Sequence, residues 1–380
     1  MADSSNNGLE MLVDAESLPG SFDEAGVLVF DDLDYQPTVS ANTKLAVFSG
    51  SEGQVEPTAG VNVLTDYEDE GTVYYAEVDG VCRLINNQIT VFEVLNIEDA
   101  VGFETGNLQF DGSIYIKGKV GQAFQVKSGG DVIVSGSIEA SAKVSAMGNI
   151  SVGGAINGIR TKVIGMESIR ASRVHDAYIF SEKNIELGAS SENGTLRSGG
   201  SITVQNTEEV RGGLISGGQA WALHGMDAHT AGTPTGTATQ LNAGLDLEHG
   251  KKLDDLTGKI ESGNQQIQRL LDRFNMTSLD VAQIQKRLAE AQSPKNKILA
   301  NSAHQLGQIV KAHQERAKLN DSLGKTVTNA RVTVREKAYA GVAIRIGDQA
   351  TKVRNDIEHS VFLVRNDTLV YAPIDEGEPN

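Results

Sequence analysis

The clearest pattern of apolar and polar positions in this chain is a short phrase that returns at a nearly fixed interval. The segment Gly130-Asp131-Val132-Ile133-Val134 returns further along the chain as Gly148-Asn149-Ile150-Ser151-Val152. Weaker copies precede and follow these two, and an aliphatic residue or alanine holds the same place in each. The aligned positions are Ile114, Val132, Ile150, Ile169, Ile185, Ile202 and Ala220, whose numbers differ in turn by 18, 18, 19, 16, 17 and 18.

A repeat of this length indicates a stack of similar turns rather than a single hairpin. A period of about 18 residues is typical of one turn of a narrow β-helix with three short faces. Stacked turns, roughly 4.8 Å apart, bury the inward Val and Ile side chains that one turn alone leaves exposed. Gly, Asp and Asn then occupy the corners. We therefore predict a mainly β fold, built on a parallel β-helix of about 18 residues per coil with seven coils from Gly112 to Ala220.

The first hundred residues have a different pattern. Residues 1–24 are polar and acidic without periodicity, which predicts a mobile N terminus. Short strand signals then follow, and Asp79-Gly80 predicts the turn of a hairpin between the strands on either side of it. We expect this acidic β-rich domain to cover one end of the β-helix.

The stretch from Leu253 to Leu323 is poor in glycine and rich in Gln, Lys, Ala and Leu. Apolar residues at alternating spacings of four and three predict a coiled-coil seam. The spacing continues from Thr277 to Ala291, Ser293-Pro294 breaks it, and a further helical segment follows, so we predict an antiparallel coiled-coil hairpin inserted in the β-helix. The candidate self-association seam comprises Leu256, Ile260, Ile267, Leu270 and Phe274.

Alternating strand patterns return after this insertion, and they predict that the chain rejoins or caps the β-helix. The predicted division is a mobile acidic N terminus, 1–24; an acidic β-rich domain, 25–100; a parallel β-helix, 101–250; a helical coiled-coil hairpin, 251–326; C-terminal strands, 327–372; and an acidic tail, 373–380.

The charge of the chain is concentrated in its first quarter. The net charge is −17, and residues 1–100 hold 20 acidic residues against only Lys44 and Arg83, a balance of −18. Such a surface repels nucleic acid and anionic membranes and favours a basic protein partner. We hypothesise that this partner docks on Asp66, Glu68, Asp69 and Glu70. The alternative is that the acidic residues only keep a β-rich domain in solution.

The helical insertion has the opposite charge. Residues 251–329 hold 13 basic and 8 acidic residues, so this segment offers a surface for self-association with the acidic start or for another protein. Homo-oligomerisation is therefore an expectation beside partner binding.

Little in the sequence indicates catalytic, cofactor or metal chemistry. Cys82 is the single cysteine, which excludes a disulfide within the chain and suits a reducing compartment. His224, Asp227 and His229 have metal-ligand side chains, but the histidine spacing fits neither one helix face nor one strand face, and we interpret them as a polar loop. We predict no catalytic, cofactor-binding or metal residues. With no secretory signal and no apolar run of membrane-spanning length, we expect a cytoplasmic protein without membrane insertion.

The order of these features resembles the flagellar assembly protein A (FapA) family. The resemblance is carried by "YYAEVDG", "GNLQFDGSIYIKGKV", the glycine-punctuated repeats, "GTATQLNAG", the helical segment and the closing "YAGVAIRIG". It covers about residues 26 to 370. The segment "ALHGMDAHTAGTPTGT" departs from the family pattern by its His and Met content.

The resemblance implies a right-handed β-helix with an inserted coiled coil, in a bacterial cytoplasmic protein without established catalytic residues. It also implies a role in polar organisation and flagellar assembly, and in one branch a link to the glucose-specific IIA protein of the sugar phosphotransferase system. We therefore expect a non-enzymatic scaffold at the cell pole whose partner is a polar-localisation protein or such a IIA protein.

Two other functions are open. The first is a polymer-forming cytoskeletal β-helix similar to the bactofilins. The second is a β-helix enzyme, either a polysaccharide lyase with clustered carboxylates, for which Asp111, Asp131 and Asp176 are the candidates, or a hexapeptide-type acyltransferase. Neither enzyme class accounts for the helical insertion.

Overall fold

The structure is a computed structural model that describes residues 8–31, 36–50, 54–204, 213–274 and 295–374. At 267, 270–274, 295–307 and 325, inside the two helices, only the backbone is described. The predicted helical segment from Thr277 to Ala291 lies outside the described residues, as does the predicted acidic tail from residue 375 onward.

The N-terminal module, residues 8–92, is built of short strands. One antiparallel sheet has the order β1-β4-β7-β6, a mixed sheet has the order β5-β9-β8, and β2 pairs with β3. The strands are β1 Leu9–Met11, β2 Ser21–Phe22, β3 Leu28–Val29, β4 Lys44–Phe48, β5 Thr58–Ala59, β6 Val63–Glu68, β7 Gly71–Ala76, β8 Val81–Ile85 and β9 Gln88–Phe92.

The predicted mobile stretch, residues 1–24, contains strands β1 and β2, since Leu9–Met11 pairs with β4 and Ser21–Phe22 pairs with β3. The prediction of a hairpin turn at Asp79-Gly80 is wrong. Asp79-Gly80 does not close a hairpin, since β7 pairs with β4 and β6 whereas β8 pairs with β9. Gly80 instead exchanges two backbone hydrogen bonds with Val39, so this segment is a crossing between two sheets.

The β-solenoid follows directly and begins at Val94, before the predicted boundary at residue 101. Its strands before the helices are β10 Val94–Ile97, β11 Leu108–Phe110, β12 Ser113–Ile116, β13 Gln125–Ser128, β14 Val132–Val134, β15 Lys143–Ala146, β16 Ile150–Asn157, β17 Lys162–Gly165, β18 Ile169–His175, β19 Tyr178–Ser181, β20 Ile185–Glu192, β21 Thr195–Ser198, β22 Ser201–Val204, β23 Leu214–Ser216, β24 Gly218–Ala222, β25 Gly225–Ala231 and β26 Thr239–Ala243.

These strands form two parallel sheets and a short third ladder. The first sheet runs from β10 through every second strand to β22 and then β25, with β23 beside it; the second sheet runs from β11 to β21 and then β24 and β26. Val101, Val120, Ile138 and Ile156 form single parallel bridges on the third face. Each coil therefore has three faces, as the repeat predicts.

The register of the first sheet explains the repeat. Val132 lies opposite both Ile114 and Ile150, and the aligned positions continue in register to Ile202. The last alignment is wrong, since Ala220 lies opposite Leu196 in the second sheet, while Met226 follows Ile202. The coil that leads from Ile202 to Met226 also contains β23 and is longer than the coils before it, so the fixed period placed the next copy in the wrong sheet.

The core is a continuous column inside the coils. Val126, Val132 and Ile150 are fully buried, and Val144 is only 1% exposed. Each inward side chain packs between its counterparts in the coils above and below, which is the burial that a single coil cannot provide.

Two helices interrupt the solenoid, and the coils then resume. The helices are α1 Leu247–Phe274 and α2 Lys295–Asn329. The later strands are β27 Arg331–Ala338, β28 Ala343–Ile346, β29 Gln349–Lys352, β30 Ile357–Arg365 and β31 Thr368–Pro373. The strands β27 and β28 continue the two sheets in parallel, whereas β29, β30 and β31 are antiparallel and close this end of the solenoid.

The N-terminal module lies along the side of the first sheet, so the prediction that it covers one end is wrong. The Leu28 N–H donates to Ser172 Oγ on β18, at 2.8 Å. Arg170, on the same strand, donates to the Gly20 carbonyl oxygen at 2.9 Å and lies over the Phe22 ring. The module therefore packs against the outward-facing residues of several coils, along the side of the solenoid.

We expect Ile150→Ala to destabilise the solenoid by about 2–5 kcal/mol, because it removes a fully buried side chain from the column. Urea unfolding followed by circular dichroism measures the change. The control, Lys143→Ala, alters an exposed side chain near the same coil and should leave the midpoint unchanged. Equal midpoints for both variants would contradict the packed column.

Candidate interaction surfaces

The four predicted docking residues lie together at the end of the β6–β7 hairpin, which we call the acidic tip. Asp66 and Glu68 lie on β6, and Asp69 and Glu70 form the two-residue connection to Gly71. All four side chains are exposed. The sequence therefore predicts their proximity, since a tight hairpin places residues 66–70 in one small region.

One cation partly balances the acidic tip. Lys44 Nζ lies 3.2 Å from Glu68 Oε2 and 3.4 Å from Glu70 Oε2, so four carboxylates and one ammonium leave a charge of −3. The Tyr75 hydroxyl donates to Glu68, and this hydrogen bond, together with Lys44, lowers the pKa of Glu68 below its ordinary value. Asp66 has no ionic partner among the described residues and accepts a 2.8 Å hydrogen bond from the Tyr67 N–H.

A buried ion pair joins the N-terminal module to the solenoid. Arg83 Nε and Nη2 donate to Asp131 Oδ2 at 2.8 and 2.6 Å. The side chains are only 7% and 2% exposed. Burial alone lowers the pKa of Arg83, but the Asp131 carboxylate outweighs this effect and raises it, so the guanidinium stays charged.

Asp131 also connects its own coil to the coils on either side. Its Oδ1 accepts from the Asn149 N–H at 2.7 Å, and its own N–H donates to Ser113 Oγ at 3.0 Å. Around the pair, Val81 packs with Tyr115 and Ile133 in a small apolar cluster. The contact is thus an ion pair with satisfied hydrogen bonds and an apolar rim.

Sequence reasoning missed this junction. Asp131 occupies a place in the repeat that is typical of a corner residue, and Arg83 was counted only as one of two basic residues in an acidic segment. The available signal was Arg83 itself, a single charge between Val81-Cys82 and Leu84-Ile85 in an apolar strand.

We expect Arg83→Met to lower the free energy of unfolding by about 3–5 kcal/mol, because it leaves the Asp131 carboxylate buried without its cation. The double variant Arg83→Met/Asp131→Asn should recover part of this loss, since it removes both charges. Urea unfolding measures both effects. Lys117→Met, which removes an exposed partner of Glu98, is the control and should change little. An unaltered midpoint for Arg83→Met would contradict a stabilising junction.

The base of the two helices is anchored on the outer face of the second sheet. Trp221, an outward residue of β24, packs with Leu245, Leu253 and Leu323. Gly250 lies against the indole, where a Cβ would stand 2.3 Å from the ring, so only glycine fits without a shift. Trp221 therefore holds the helical base from outside the coil.

Charged contacts hold the same base. Arg345 Nη1 donates to Asp254 Oδ1 at 2.8 Å, and Arg316 Nη2 donates to Asp348 Oδ2 at 3.1 Å. Asn320 Nδ2 also donates to Asp348, at 2.8 Å. One ion pair thus fixes each helix to the last coil.

Only part of the predicted seam is described. Leu256 and Ile260 are buried with Ala312 and Leu319 of α2. Gly263 lies against Ile309, so the two helices stay in contact there. The side chains of Ile267, Leu270 and Phe274 lie outside the described residues.

We expect Leu253→Asp to shift the emission of Trp221, the single tryptophan, to longer wavelength, because charge and water enter the helical base. Tryptophan fluorescence with acrylamide quenching measures this change. Lys252→Asp introduces the same carboxylate at the neighbouring exposed position and should leave the emission unchanged. If both variants behave alike, Trp221 does not report on helix docking.

His224, Asp227 and His229 do not form a loop, because Gly225–Ala231 is strand β25 of the first sheet. Arg335 donates to both carboxylate oxygens of Asp227, and His229 Nε2 lies 2.9 Å from Glu336 Oε2. In the part of the chain that the structure describes, no group of three or more His, Cys, Asp or Glu side chains is placed to hold a metal ion.

Among the described helices, neither is long and apolar enough to cross a bilayer.

The family model of the flagellar assembly protein A β-solenoid domain matches residues 93–369, from the start of the solenoid into β31. No curated protein and no solved structure gave a significant match. Because the matched segment is well over half of the 380 residues and coincides with the stacked coils, the chain belongs to the FapA family.

Proposed function

We propose that this chain is a non-enzymatic scaffold of flagellum assembly, in which a rigid solenoid holds two protein-binding parts at separate places. The observation that carries the proposal is the buried junction at Arg83 and Asp131, which supports a fixed placement of the N-terminal module. An acidic surface held on a rigid body is suited to orienting a basic partner.

The helical pair is the second binding part. We propose that it continues beyond the described base as an antiparallel coiled-coil hairpin, and that the solenoid is right-handed, as the family implies. Its excess of basic residues, 13 against 8, complements the acidic module and suits either self-association or a separate protein.

The setting that we propose for this scaffold is the one that the family resemblance implies. We propose that it acts in the cytoplasm at the cell pole, where the partner of the acidic tip is a polar-localisation protein or a IIA protein of the phosphotransferase system. The charge of the first hundred residues supports a basic partner surface and disfavours nucleic acid.

The contacts at hand disfavour the alternative functions. Continuous end-to-end polymerisation needs two open ends, whereas β29, β30 and β31 are antiparallel and close one end. A lyase needs free clustered carboxylates, but Asp131 is committed to Arg83. No contact among the described residues supports the acyltransferase alternative.

We expect deletion of the gene in its native bacterium to reduce the number of flagellated cells, counted by electron microscopy. The wild-type gene should restore flagella, whereas a variant with Asp66, Glu68, Asp69 and Glu70 changed to Lys should not. Glu10→Lys, on the opposite edge strand β1, is the control for added positive charge. Immunoblots confirm equal protein levels.

Unchanged flagellation in the deletion strain would contradict the proposed function. Full restoration by the charge-reversed variant would leave the scaffold role standing but remove the acidic tip from it.

A further inference from the structure

Strand β6 is an unprotected edge. It is the outermost strand of the sheet β1-β4-β7-β6, and among the described residues β7 is its only strand partner. Five consecutive residues, from Leu64 to Glu68, are exposed, which is unusual for a strand in a folded sheet. Edge strands of this kind present unpaired backbone groups that can pair with another chain.

The register identifies the backbone groups that face outward. Glu68 lies opposite Gly71 across a two-residue connection, and the Glu77 N–H donates to the Asn62 carbonyl oxygen at 2.9 Å. In an antiparallel pair, hydrogen-bonded and non-hydrogen-bonded positions alternate. The backbone N–H and C=O groups that face β7 are therefore those at every second residue, namely Asn62, Leu64, Asp66 and Glu68. The N–H and C=O groups of Thr65 and Tyr67 therefore point away from β7, along the free edge.

The side chains of β6 differ between its two faces. Leu64, Asp66 and Glu68 lie on one face, while Thr65 and Tyr67 lie on the other, because side chains alternate along a strand. Tyr67 is 81% exposed and Leu64 is 52% exposed. The edge thus offers acidic groups on one face and an aromatic ring on the other.

The charge of the edge limits what can pair with it. A second copy bound through β6 in a two-fold arrangement would bring acidic side chains opposite each other, which destabilises cross-strand pairs. The basic segment of the chain itself, residues 251–329, is helical where it is described and offers no extended strand. The edge therefore favours an extended segment of a different protein with basic side chains.

We propose that β6 binds a partner by strand addition. The partner is an extended peptide segment in which basic side chains alternate with apolar ones. Its backbone hydrogen-bonds to Thr65 and Tyr67, its basic side chains face Asp66 and Glu68, and its apolar side chains cover Tyr67. Asp66, which accepts the Tyr67 N–H in the free protein, exchanges that bond for a basic side chain. This inference rests on the proposed function only in assigning partner binding to the acidic N-terminal module.

The test uses the full chain and a short acetylated, fluorescent peptide that alternates lysine and valine. Anisotropy titration should show binding that weakens as salt is raised, since charge contributes. Thr65→Pro should weaken binding about tenfold relative to Thr65→Val, because proline removes one outward N–H and obstructs the incoming strand. An edge strand tolerates proline where its N–H faces solvent, so both variants should unfold at similar urea concentrations.

A modified peptide keeps the test decisive if Thr65→Pro fails to fold. A peptide N-methylated along one edge cannot form the ladder with β6, and it should bind the wild-type chain about tenfold more weakly. Equal affinity for the methylated and unmethylated peptides would overturn strand addition.

The remaining outcomes separate this inference from the proposed function. If Asp66→Asn/Glu68→Gln weakens binding while Thr65→Pro matches Thr65→Val, the acidic tip acts by charge alone and strand addition is wrong. Absence of binding to the wild-type chain at low salt also overturns strand addition. In both cases, the proposed function is decided separately by the flagellar complementation experiment.

Discussion

The junction between the N-terminal module and the solenoid centres on one carboxylate, that of Asp131. Its oxygens accept two hydrogen bonds from Arg83 of the N-terminal module and two from Asn149 of the following coil, one from the backbone N–H and one from Nδ2. Its N–H donates to Ser113 of the preceding coil. A buried carboxylate is costly unless it is paired and fully hydrogen-bonded, and here the stacked coils and the docked module supply those partners together.

This junction explains why the two parts of the chain are held in one orientation. Apolar contacts such as that of Val81 with Ile133 favour proximity but tolerate sliding, because apolar burial is not directional. The Arg83 fork is directional, since two nitrogens must meet one oxygen. The orientation places β6 at the margin of the N-terminal module, where its edge is exposed.

The two ends of the solenoid differ in the described residues. In the first coil, the side chains of Ile97, Leu108 and Phe110 are only partly buried, because no coil precedes them. At the other end, β30 and β31 turn antiparallel and Phe362 is buried beneath them. The helices leave from the second sheet near the closed end, while the N-terminal module contacts the first sheet at Asp131 and at β18. The helices and the N-terminal module therefore lie on different sheets and different coils.

The sequence by itself determined the stacked coils, because the register of a solenoid repeats whenever the inward Val and Ile residues repeat. It also determined the helical insertion, since the change from the long solenoid period to spacings of four and three is local. The order of these features was sufficient for the family. Only the tertiary structure decided the partner of Arg83, which lies 48 residues from Asp131, because each residue alone has an ordinary local explanation. The same holds for the crossing at Asp79-Gly80 and for the exposed edge of β6. A strand's neighbours are chosen by packing between distant segments, and no local pattern encodes that choice.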